Sequence, residues 1–329
     1  MRKPKLRWGI AGCGKFAENA FIPTIQLMRK NKIISLFSSS KERANELAKK
    51  FGIANAFSDY DGFLKSDINC VYVASANAHH YEQVVKAAKA GKNILCEKPL
   101  SVNSSEAEEM VKTCEENNVY LAASYVYRFH PLIKKAKELI SNEYIGKFVS
   151  INLNFNTDFV PGNNFRFNKS LSGGGALRDI GTHMIDLLRF FGGEIKRIEG
   201  FIDNIIYKSD TDDFACAIVQ FEIGGYGYFN VSFINKKAFN RIEILGHKGA
   251  LSIENLIAVK NIPAKLTILR EGEAKKAFRK RGNKLHYMLK SVQHSFLNNQ
   301  PPVVNGYDGL INMKLMEELE RECQMKKES

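Results

Sequence analysis

The chain has 329 residues, of which 44% are hydrophobic, and its formal net charge is +13. This length allows a sizeable core and predicts two domains, and no apolar run approaches the ~20 residues of a membrane-spanning helix. None of the six cysteines forms a C-x-x-C pair, which argues against a disulfide framework or a zinc site and favours reduced thiols in the cytoplasm.

The positive charge is spread along the chain and is not concentrated in one segment. Its densest run, Lys275 to Arg281, lies between a strand-like segment and a helix, predicts an exposed loop and contains no aromatic stacking platform. We therefore favour a solvated surface, or attraction to phosphorylated cofactors, over nucleic-acid binding. The basic N-terminus precedes an apolar stretch of only strand length, so a signal peptide is not expected.

The first functional signal is the segment from Leu6 to Ala17. The apolar run Leu6 to Ala11 predicts a strand, and a helix opens at Phe16 and Ala17, so a G-x-G-x-x-A pattern falls between strand and helix. In a dinucleotide site Gly12 allows a tight turn, and Gly14 lets a pyrophosphate approach the backbone. The N–H groups of the following helix attract the phosphates.

Strand-like and helix-like segments then alternate as far as Ala123, which predicts a parallel, doubly wound sheet. The predicted strands after the first are 33–38, 69–75, 93–96 and 119–124, and the predicted helices are 41–51, 81–90 and 104–117. The character changes after Tyr125, where short connections such as Gly224-Gly225 indicate antiparallel pairing. There the predicted helices are 128–141, 175–191, 285–297 and 310–322, and the predicted strands are 147–155, 195–203, 213–221, 225–233, 240–245 and 250–253.

The residues after the second strand bear on the choice between NAD and NADP. A carboxylate at this point would hydrogen-bond a ribose 2′-hydroxyl, but this chain has Ser38, Ser39 and Ser40, followed by Lys41, Glu42 and Arg43. Hydroxyls and cations suit a 2′-phosphate, so we predict NADP, with NAD as the alternative. The competing interpretation is an ordinary helix cap, with Ser39 or Ser40 as the N-cap residue.

Two further loops follow predicted strands, whose carboxyl ends line the ligand crevice of a doubly wound sheet. Asn77 and His80 lie in the first of these loops, where the alternative is simple loop polarity with His80 capping a helix. Lys98 lies in the second, Glu97-Lys98-Pro99, where an ammonium group would stabilise an alkoxide or share its proton with the substrate oxygen. The alternative is a surface turn in which Pro99 ends the strand.

The stretch from Gly173 to His183, GGGALRDIGTH, predicts a helix that carries Asp179 and His183 four residues apart on one face. A carboxylate beside an imidazole suits general acid–base chemistry, with Asp186 as a further partner of His183. The alternative is a surface ion pair. We do not expect a metal, because no third ligand has suggestive spacing.

These segments together resemble the Gfo/Idh/MocA family, the glucose-fructose oxidoreductase and inositol dehydrogenase group. The matching segments are GCGKFA, ANAHH, LCEKPL, YRFHP, GGGALRDIGTH and Tyr307-Asp308-Gly309-Leu310, which span nearly the whole chain. The resemblance implies a Rossmann dinucleotide-binding domain over 1–124. It also implies a C-terminal α/β domain over 125–329, whose open, mostly antiparallel sheet often forms the oligomer interface.

The resemblance also implies residue roles. The family's motif lysine falls on Lys98, its helix pair on Asp179 and His183, and Arg128 and Arg166 fall near its substrate cleft. The candidate cofactor-binding residues are Gly12, Gly14, Lys15, Phe16, Ser38, Ser39, Lys41, Arg43, Ser75, Asn77, His80, Glu97 and Lys98. The chain departs from the family pattern where Ser75-Ala76 replaces the usual Thr-Pro, and where Ser39 replaces an arginine common in members that use NADP.

We therefore predict an NAD(P)-dependent oxidoreductase that acts on a secondary alcohol or ketone of a sugar or nucleotide sugar. His183 would move the hydroxyl proton, Lys98 would stabilise the oxyanion and Asp179 would fix the substrate. The alternatives are a dinucleotide-binding regulator without turnover and a reductase of non-sugar carbonyls or dihydrodiols. We expect a cytoplasmic homodimer or homotetramer that binds no nucleic acid, membrane or metal.

Overall fold

The computed structural model describes residues 5–162, 164–237, 240–256 and 262–328. The chain divides into two compact units, one made of Met1–Tyr125 and Leu285–Met313 and the other of Val126–Lys284 and Lys314–Ser329. The first break lies one residue beyond the predicted boundary at 124/125. Residues 285–313 group with the first unit, whereas the sequence-based division assigned them to the second.

The first unit contains a six-stranded parallel sheet in the order β3-β2-β1-β4-β5-β6. Its strands are β1 (Leu6–Ala11), β2 (Asn31–Phe37), β3 (Asn55–Phe57), β4 (Cys70–Val73), β5 (Asn93–Cys96) and β6 (Leu121–Ala123). Its helices are α1 (Ile22–Gln26), which continues a π-helical turn over Ala17–Phe21, α2 (Lys41–Phe51), α3 (Tyr60–Leu64), α4 (His80–Lys89) and α5 (Ser104–Glu116). The predicted doubly wound parallel sheet is confirmed. Only the short elements β3 and α3 had no sequence prediction.

The core of this unit follows from the sequence pattern. Every residue of β4 is buried, as expected for a central strand covered on both faces. The α2 helix buries Ala44, Leu47 and Ala48 on the predicted stripe. Around β1, the Trp8 side chain is fully buried and its Nε1 donates to the Asn31 Oδ1 at 2.8 Å.

The second unit contains an eight-stranded sheet in the order β14-β13-β12-β11-β7-β10-β9-β8. Its strands are β7 (Phe148–Asn156), β8 (Ile195–Asp203), β9 (Phe214–Phe221), β10 (Tyr226–Ser232), β11 (Arg241–Gly246), β12 (Gly249–Glu254), β13 (Ala264–Arg270) and β14 (Lys276–Lys280). All neighbours are antiparallel except β7 and β10, so the predicted mostly antiparallel sheet is confirmed. The helices α6 (Pro131–Ser141), α7 (Lys169–Ser172) and α8 (Thr182–Gly192) complete this part.

One face of the eight-stranded sheet is buried and the other is open. On β7 the residues Ile151, Leu153 and Phe155 are buried and their neighbours are only half-buried, which gives the predicted period of two. The buried face of β7 and β10 contacts α8. This arrangement fixes α8 against the middle of the sheet.

Two sequence-based assignments in this unit were wrong in detail. The basic run predicted as an exposed loop contains the edge strand β14, which pairs only with β13 and whose residues are all exposed. With both faces in solvent it shows no hydrophobic alternation to detect. The helix predicted from residue 128 begins at Pro131, because Val126–Phe129 forms a 3-10 turn and the His130 Nδ1 accepts a capping hydrogen bond from the Leu132 N–H.

Two helices, α9 (Lys284–Leu297) and α10 (Gly306–Glu328), end the chain. Within the described ranges, no helix combines the length and apolar character that crossing a membrane requires.

Candidate active site

The predicted glycine loop begins where β1 ends. Gly12 has a φ of +107°, and a Cβ built on it would lie 2.5 Å from the carbonyl carbon of Ala74 and from the amide nitrogen of Ser75. Its backbone conformation and the nearby end of β4 both require glycine. A Cβ on Gly14 would meet nothing within 4 Å, and the following Lys15 and Phe16 are exposed. This open backbone fits the approach of a pyrophosphate.

The residues predicted to surround the adenosine ribose lie at the start of α2. Ser40 is the N-cap residue, since its Oγ accepts a hydrogen bond from the Arg43 N–H at 3.1 Å. The Ser38 Oγ accepts from the Ser40 N–H at 3.3 Å, and the Lys41 Nζ donates to the Ala56 carbonyl at 2.8 Å. The alternative helix-cap interpretation is therefore correct for Ser40, and it leaves the choice of nucleotide open.

Arg43 is the centre of an ion cluster that the sequence did not reveal. Its Nε donates to the Cys13 carbonyl at 3.1 Å, and its guanidinium pairs with Glu18 at 2.5 Å and with Glu46 at 2.9 Å. Hydrogen bonds from Lys50 and Arg43 lower the pKa of Glu18. Arg43 thus fastens α2 to the glycine loop, and Glu18 offsets part of the positive charge on which the NADP prediction depends.

The loop after β4 is held by its own side chains. The Ser75 Oγ donates to the Gln83 Oε1 at 2.9 Å, and Asn77 is buried. The fully buried ring of His80 places Nε2 3.1 Å from the Ser75 carbonyl and Nδ1 3.0 Å from the Pro99 carbonyl. Burial lowers the pKa of His80 to about 4, so the ring is neutral at pH 7. His80 therefore links this loop to the Lys98–Pro99 turn from inside the protein.

The segment after β5 carries Glu97 and Lys98. The Glu97 Oε1 accepts hydrogen bonds from the Tyr72 hydroxyl at 2.6 Å and from the Ser124 hydroxyl at 2.8 Å. Loss of water around this carboxyl raises its pKa, while Tyr72 and the nearby charge of Lys98 lower it. The Lys98–Pro99 peptide bond is cis, and Lys98 is half-buried. The two donors fix the Glu97 side chain next to Lys98.

Asp179 lies in a π-helical turn, Leu177–Gly181, that leads directly into α8, which carries His183. The start of this turn is held by Asp212, whose carboxylate accepts from the Gly175 N–H at 2.7 Å and from the Leu177 N–H at 2.8 Å. A Cβ on Gly175 would lie 1.8 Å from the Asp212 carbonyl oxygen. Glycine is therefore required by close packing, and the helix start is rigidly placed.

Two predicted substrate residues meet in this unit. The Arg166 Nε donates to the Asp179 Oδ2 at 2.8 Å, and the guanidinium lies 5.1 Å from the ring centres of Phe159 and Phe165. The imidazole of His183 packs against Tyr127, with ring centres 4.8 Å apart and an interplanar angle of 76°.

Burial and the charge of Asp179 raise the pKa of the Tyr127 hydroxyl. The charge of Asp179 therefore acts on the tyrosine whose ring packs against His183.

Arg128 and Asp186 form a bidentate ion pair with distances of 2.8 and 2.6 Å. Both side chains are buried, with exposed fractions of 11% and 1%. The sequence interpretation assigned Asp186 as a partner of His183 and Arg128 to the substrate cleft. The structure joins these two residues to each other, as a pair that anchors α8 to the turn before α6.

Each unit thus assembles part of the predicted set. In the first unit, Gly12, Asn77 and Lys98 follow β1, β4 and β5, which are neighbours in the sheet, so these residues share its carboxyl edge. In the second unit, Arg166 binds Asp179, and His183 packs against Tyr127. Among the residues that the structure describes, no group of three His, Cys, Asp or Glu side chains is arranged to hold a metal ion.

Three residues of these sites had no recognisable sequence signal: Glu18, Asp212 and Lys284. Tyr127 lies in the segment YRFHP that contributes to the family resemblance, but no role was predicted for it, and Glu18 reads as a solvated helical residue. Asp212 binds the Leu177 N–H, 35 residues away, and Lys284 contacts the Tyr127 ring and the Leu256 carbonyl, 28 residues away, so their roles depend on the tertiary fold.

Comparison with known proteins identifies the protein family. Residues 6–125 match the model of an oxidoreductase family with an NAD-binding Rossmann fold, and residues 133–252 match the GFO/IDH/MocA C-terminal domain. The chain is 30% identical to a D-xylose 1-dehydrogenase (NADP(+)) from Haloferax volcanii over 65% of its own length. It spans 63% of the length of that relative and of one other curated relative. It is 27% identical to a 1,5-anhydro-D-fructose reductase from Ensifer adhaerens over 92% of both chains.

Among solved structures, a levoglucosan dehydrogenase in complex with NADH and levoglucosan matches with a TM-score of 0.89. The match covers 98% of both chains at 21% identity, so it supports the fold. The relatives are named dehydrogenases and reductases, in agreement with the predicted class of protein. The two family models together cover well over half of the sequence, and the predicted family is confirmed: the chain belongs to the Gfo/Idh/MocA family of oxidoreductases.

Proposed function

We propose that this protein is an NAD(P)-dependent oxidoreductase that transfers a hydride between the nicotinamide and a secondary alcohol or ketone of a sugar-like substrate. The main support is that Lys98 and the open glycine loop share the carboxyl edge of one parallel sheet in a family of oxidoreductases. The bound nicotinamide supplies the hydride chemistry. The protein's own residues bind the dinucleotide, hold the substrate and move the proton.

In the direction of alcohol oxidation, the hydroxyl proton passes to the Nε2 of His183, whose Nδ1 is buried, as the C–H bond breaks and the carbonyl forms. Lys98 donates a hydrogen bond to the substrate oxygen and stabilises its negative charge in the transition state. Asp179 binds a neighbouring hydroxyl and is itself oriented by Arg166. Reduction uses the same groups in reverse, with His183 returning the proton.

Lys98 and His183 belong to different units, so we propose their cooperation on chemical grounds, and kinetics test it. Lys98→Met and His183→Ala should each lower kcat at least ~100-fold, and the double variant should be little worse than either single variant, because the groups serve one step. Lys89→Met and His294→Ala change exposed residues and should retain wild-type turnover. Turnover within a few-fold of wild type in both single variants refutes the mechanism.

We further propose that NADP is preferred over NAD. No carboxylate follows β2 before Glu42, whereas Ser38, Ser39, Lys41 and Arg43 offer donors and positive charge for a 2′-phosphate. Calorimetric titration should give at least tenfold tighter binding of NADP+. Lys41→Ala should reduce this ratio, Lys49→Ala at the far end of α2 should not, and Glu18→Gln should increase it by releasing the Arg43 guanidinium.

The identity of the substrate distinguishes the proposed sugar oxidoreductase from an enzyme that acts on dihydrodiols. Aromatic rings flank Arg166, and several relatives are named trans-1,2-dihydrobenzene-1,2-diol dehydrogenases, including one from Mus musculus at 28% identity. A screen of sugars, keto-sugars and dihydrodiols with both nucleotides tests the proposal. Turnover of dihydrodiols alone would replace the sugar substrate, and dinucleotide binding without any turnover would favour a regulator.

We propose a homodimer or homotetramer assembled through the open face of the eight-stranded sheet. Phe201, Ile218 and Tyr226 on β8, β9 and β10 are 66%, 59% and 57% exposed and border a cavity of about 540 Å³. Ile218→Lys should reduce the mass measured by light scattering, while Leu27→Lys in the first unit should not. Six free cysteines, five of them buried, are compatible with a reducing, cytoplasmic location.

A further inference from the structure

A tyrosine outside the predicted set packs against the candidate catalytic histidine, and a lysine packs against that tyrosine. Tyr127 is 9% exposed, and its ring contacts His183 edge to face. The Lys284 Nζ lies 4.7 Å from the centre of the same Tyr127 ring and donates a hydrogen bond to the Leu256 carbonyl at 2.9 Å. The ammonium group and the imidazole therefore contact the same aromatic ring.

Building on the proposed function, we propose that Tyr127 and Lys284 are positioning residues that hold the His183 ring and disfavour its protonated form. An aromatic ring of low mobility restricts the orientations of the imidazole that packs on it. The Lys284 ammonium and the His183 imidazole lie 4.7 and 4.8 Å from the centre of the same ring, so they are within about 10 Å of each other. In a surrounding of effective dielectric ~20, a charge at that distance lowers the pKa of the imidazole by about one unit. The imidazole is thus kept ready to accept the substrate proton near neutral pH.

The charge of Lys284 already acts on another imidazole in this region. Burial and the nearby Lys284 ammonium lower the pKa of His130 to about 4, in the turn that carries Tyr127. Burial lowers the pKa of Lys284 itself to about 8, so it remains mostly charged at pH 7. Its hydrogen bond to Leu256 and its contact with the ring fix the position of that charge.

The other charged groups around His183 are mostly paired. Asp179 favours the imidazolium, but Arg166 binds this carboxylate at 2.8 Å and offsets its charge. Arg128 and Asp186 neutralise each other.

From α6, Lys137 reaches the Phe191 carbonyl at 3.4 Å, at the far end of α8. The faces of β7 and β10 that contact α8 contribute apolar residues. Among these charged groups of the second unit, Lys284 is therefore the one whose removal should change the His183 protonation equilibrium most.

The direct test is the pKa of His183 in full-length protein labelled at histidine, measured from its 13Cε1–1Hε1 NMR signal. That signal is assigned by its absence from the spectrum of His183→Gln. Lys284→Met and Lys284→Gln should each raise this pKa by about one unit, and Lys284→Arg should leave it unchanged. Lys134→Met is the matched control, because the Lys134 ammonium also lies over a ring, that of Phe129 at 5.5 Å, but is exposed. Two neutral variants are used in case one of them has a folding defect, which circular dichroism would detect.

A His183 pKa within about 0.3 units of wild type in both neutral variants overturns the proposal, as does an equal shift in Lys134→Met. The measurement needs no substrate, so its failure is separate from failure of the proposed reaction, which would appear as absent turnover with the shift intact. With a substrate, the acidic limb of the kcat/KM profile should move upward by the same amount in Lys284→Met. Tyr127→Leu should lower kcat at least tenfold with unchanged dinucleotide affinity, and Tyr127→Phe should stay within about threefold of wild type.

Discussion

The two glycines of the dinucleotide loop should respond in opposite ways to the same small change. We expect Gly12→Ala to destabilise the protein, and Gly14→Ala to leave stability intact while weakening dinucleotide binding. The two positions are two residues apart in one loop. Each variant is therefore the control for the other.

The structure gives the size of each effect. At Gly12 the new methyl would lie 2.5 Å from backbone atoms of Ala74 and Ser75, and φ is +107°. The left-handed conformation costs an L-residue ~1–2 kcal/mol, and relief of a backbone overlap costs ~1–3 kcal/mol more. A loss of about 3 kcal/mol corresponds to a fall in Tm of about 6–12 °C. At Gly14 the methyl meets nothing within 4 Å, so the stability change should be within about 0.5 kcal/mol.

Urea denaturation and thermal melts measure stability, and calorimetric titration with NADP+ and NAD+ measures binding. Gly14→Ala should bind both nucleotides at least tenfold more weakly, because the methyl occupies the space where the pyrophosphate must approach the backbone. Wild-type affinity in folded Gly14→Ala would refute the assigned path of the phosphates. Equal destabilisation by both variants would refute the contrast in packing.

Three other changes test the energetics of the two units. Asp186→Ala leaves the buried Arg128 guanidinium without its carboxylate and should cost ~3–5 kcal/mol in urea denaturation, whereas Glu138→Ala in an exposed ion pair should cost less than ~1 kcal/mol. Because burial lowers the folded-state pKa of Lys284 to about 8, the unfolded chain binds this proton more tightly. Stability should therefore rise by up to ~2 kcal/mol between pH 8 and 10.5, a gain that Lys284→Met removes. Burial also lowers the folded-state pKa of His80 to about 4, so stability should fall from pH 6.5 towards pH 4 as the unfolded ring takes up a proton. This fall should be shallower in His80→Asn.

The sequence predicted the parts of the fold that depend on local pattern. The ends of β1, α2 and β5 agree with prediction to the residue, because apolar runs, an N-cap serine and glycine turns act over a few neighbours. The edge strand β14 escaped detection, since a strand exposed on both faces has no periodicity in hydrophobicity. The 3-10 turn before α6 escaped it because Arg128 continues the helical pattern while Pro131 fixes the true start.

The site divides in the same way. The need for glycine at position 12 was predictable because the turn after β1 has a φ of +107° and leaves no space for a Cβ, whereas the role of Gly14 stays a prediction. The pairings of Arg43 with Glu18 and of Arg128 with Asp186 join residues 25 and 58 positions apart, and no local pattern announces them. A charge count restricted to residues 38–43 omits Glu18 and therefore overestimates the positive charge at the start of α2.

For the same reason, the motif GGGALRDIGTH does not predict all of the side chains that act on Asp179 and His183. The motif supplies Asp179 and His183, but what those groups can do depends on side chains from elsewhere: Asp212 fixes the helix start, Arg166 binds the carboxylate, and Tyr127 packs on the imidazole. A carboxylate and an imidazole four residues apart are common on helices, and most such pairs lie in solvent with ordinary chemistry. Here a buried ring packs against the imidazole and an ammonium group lies over that ring, so the proposed control of its proton affinity depends on tertiary contacts that the motif does not contain.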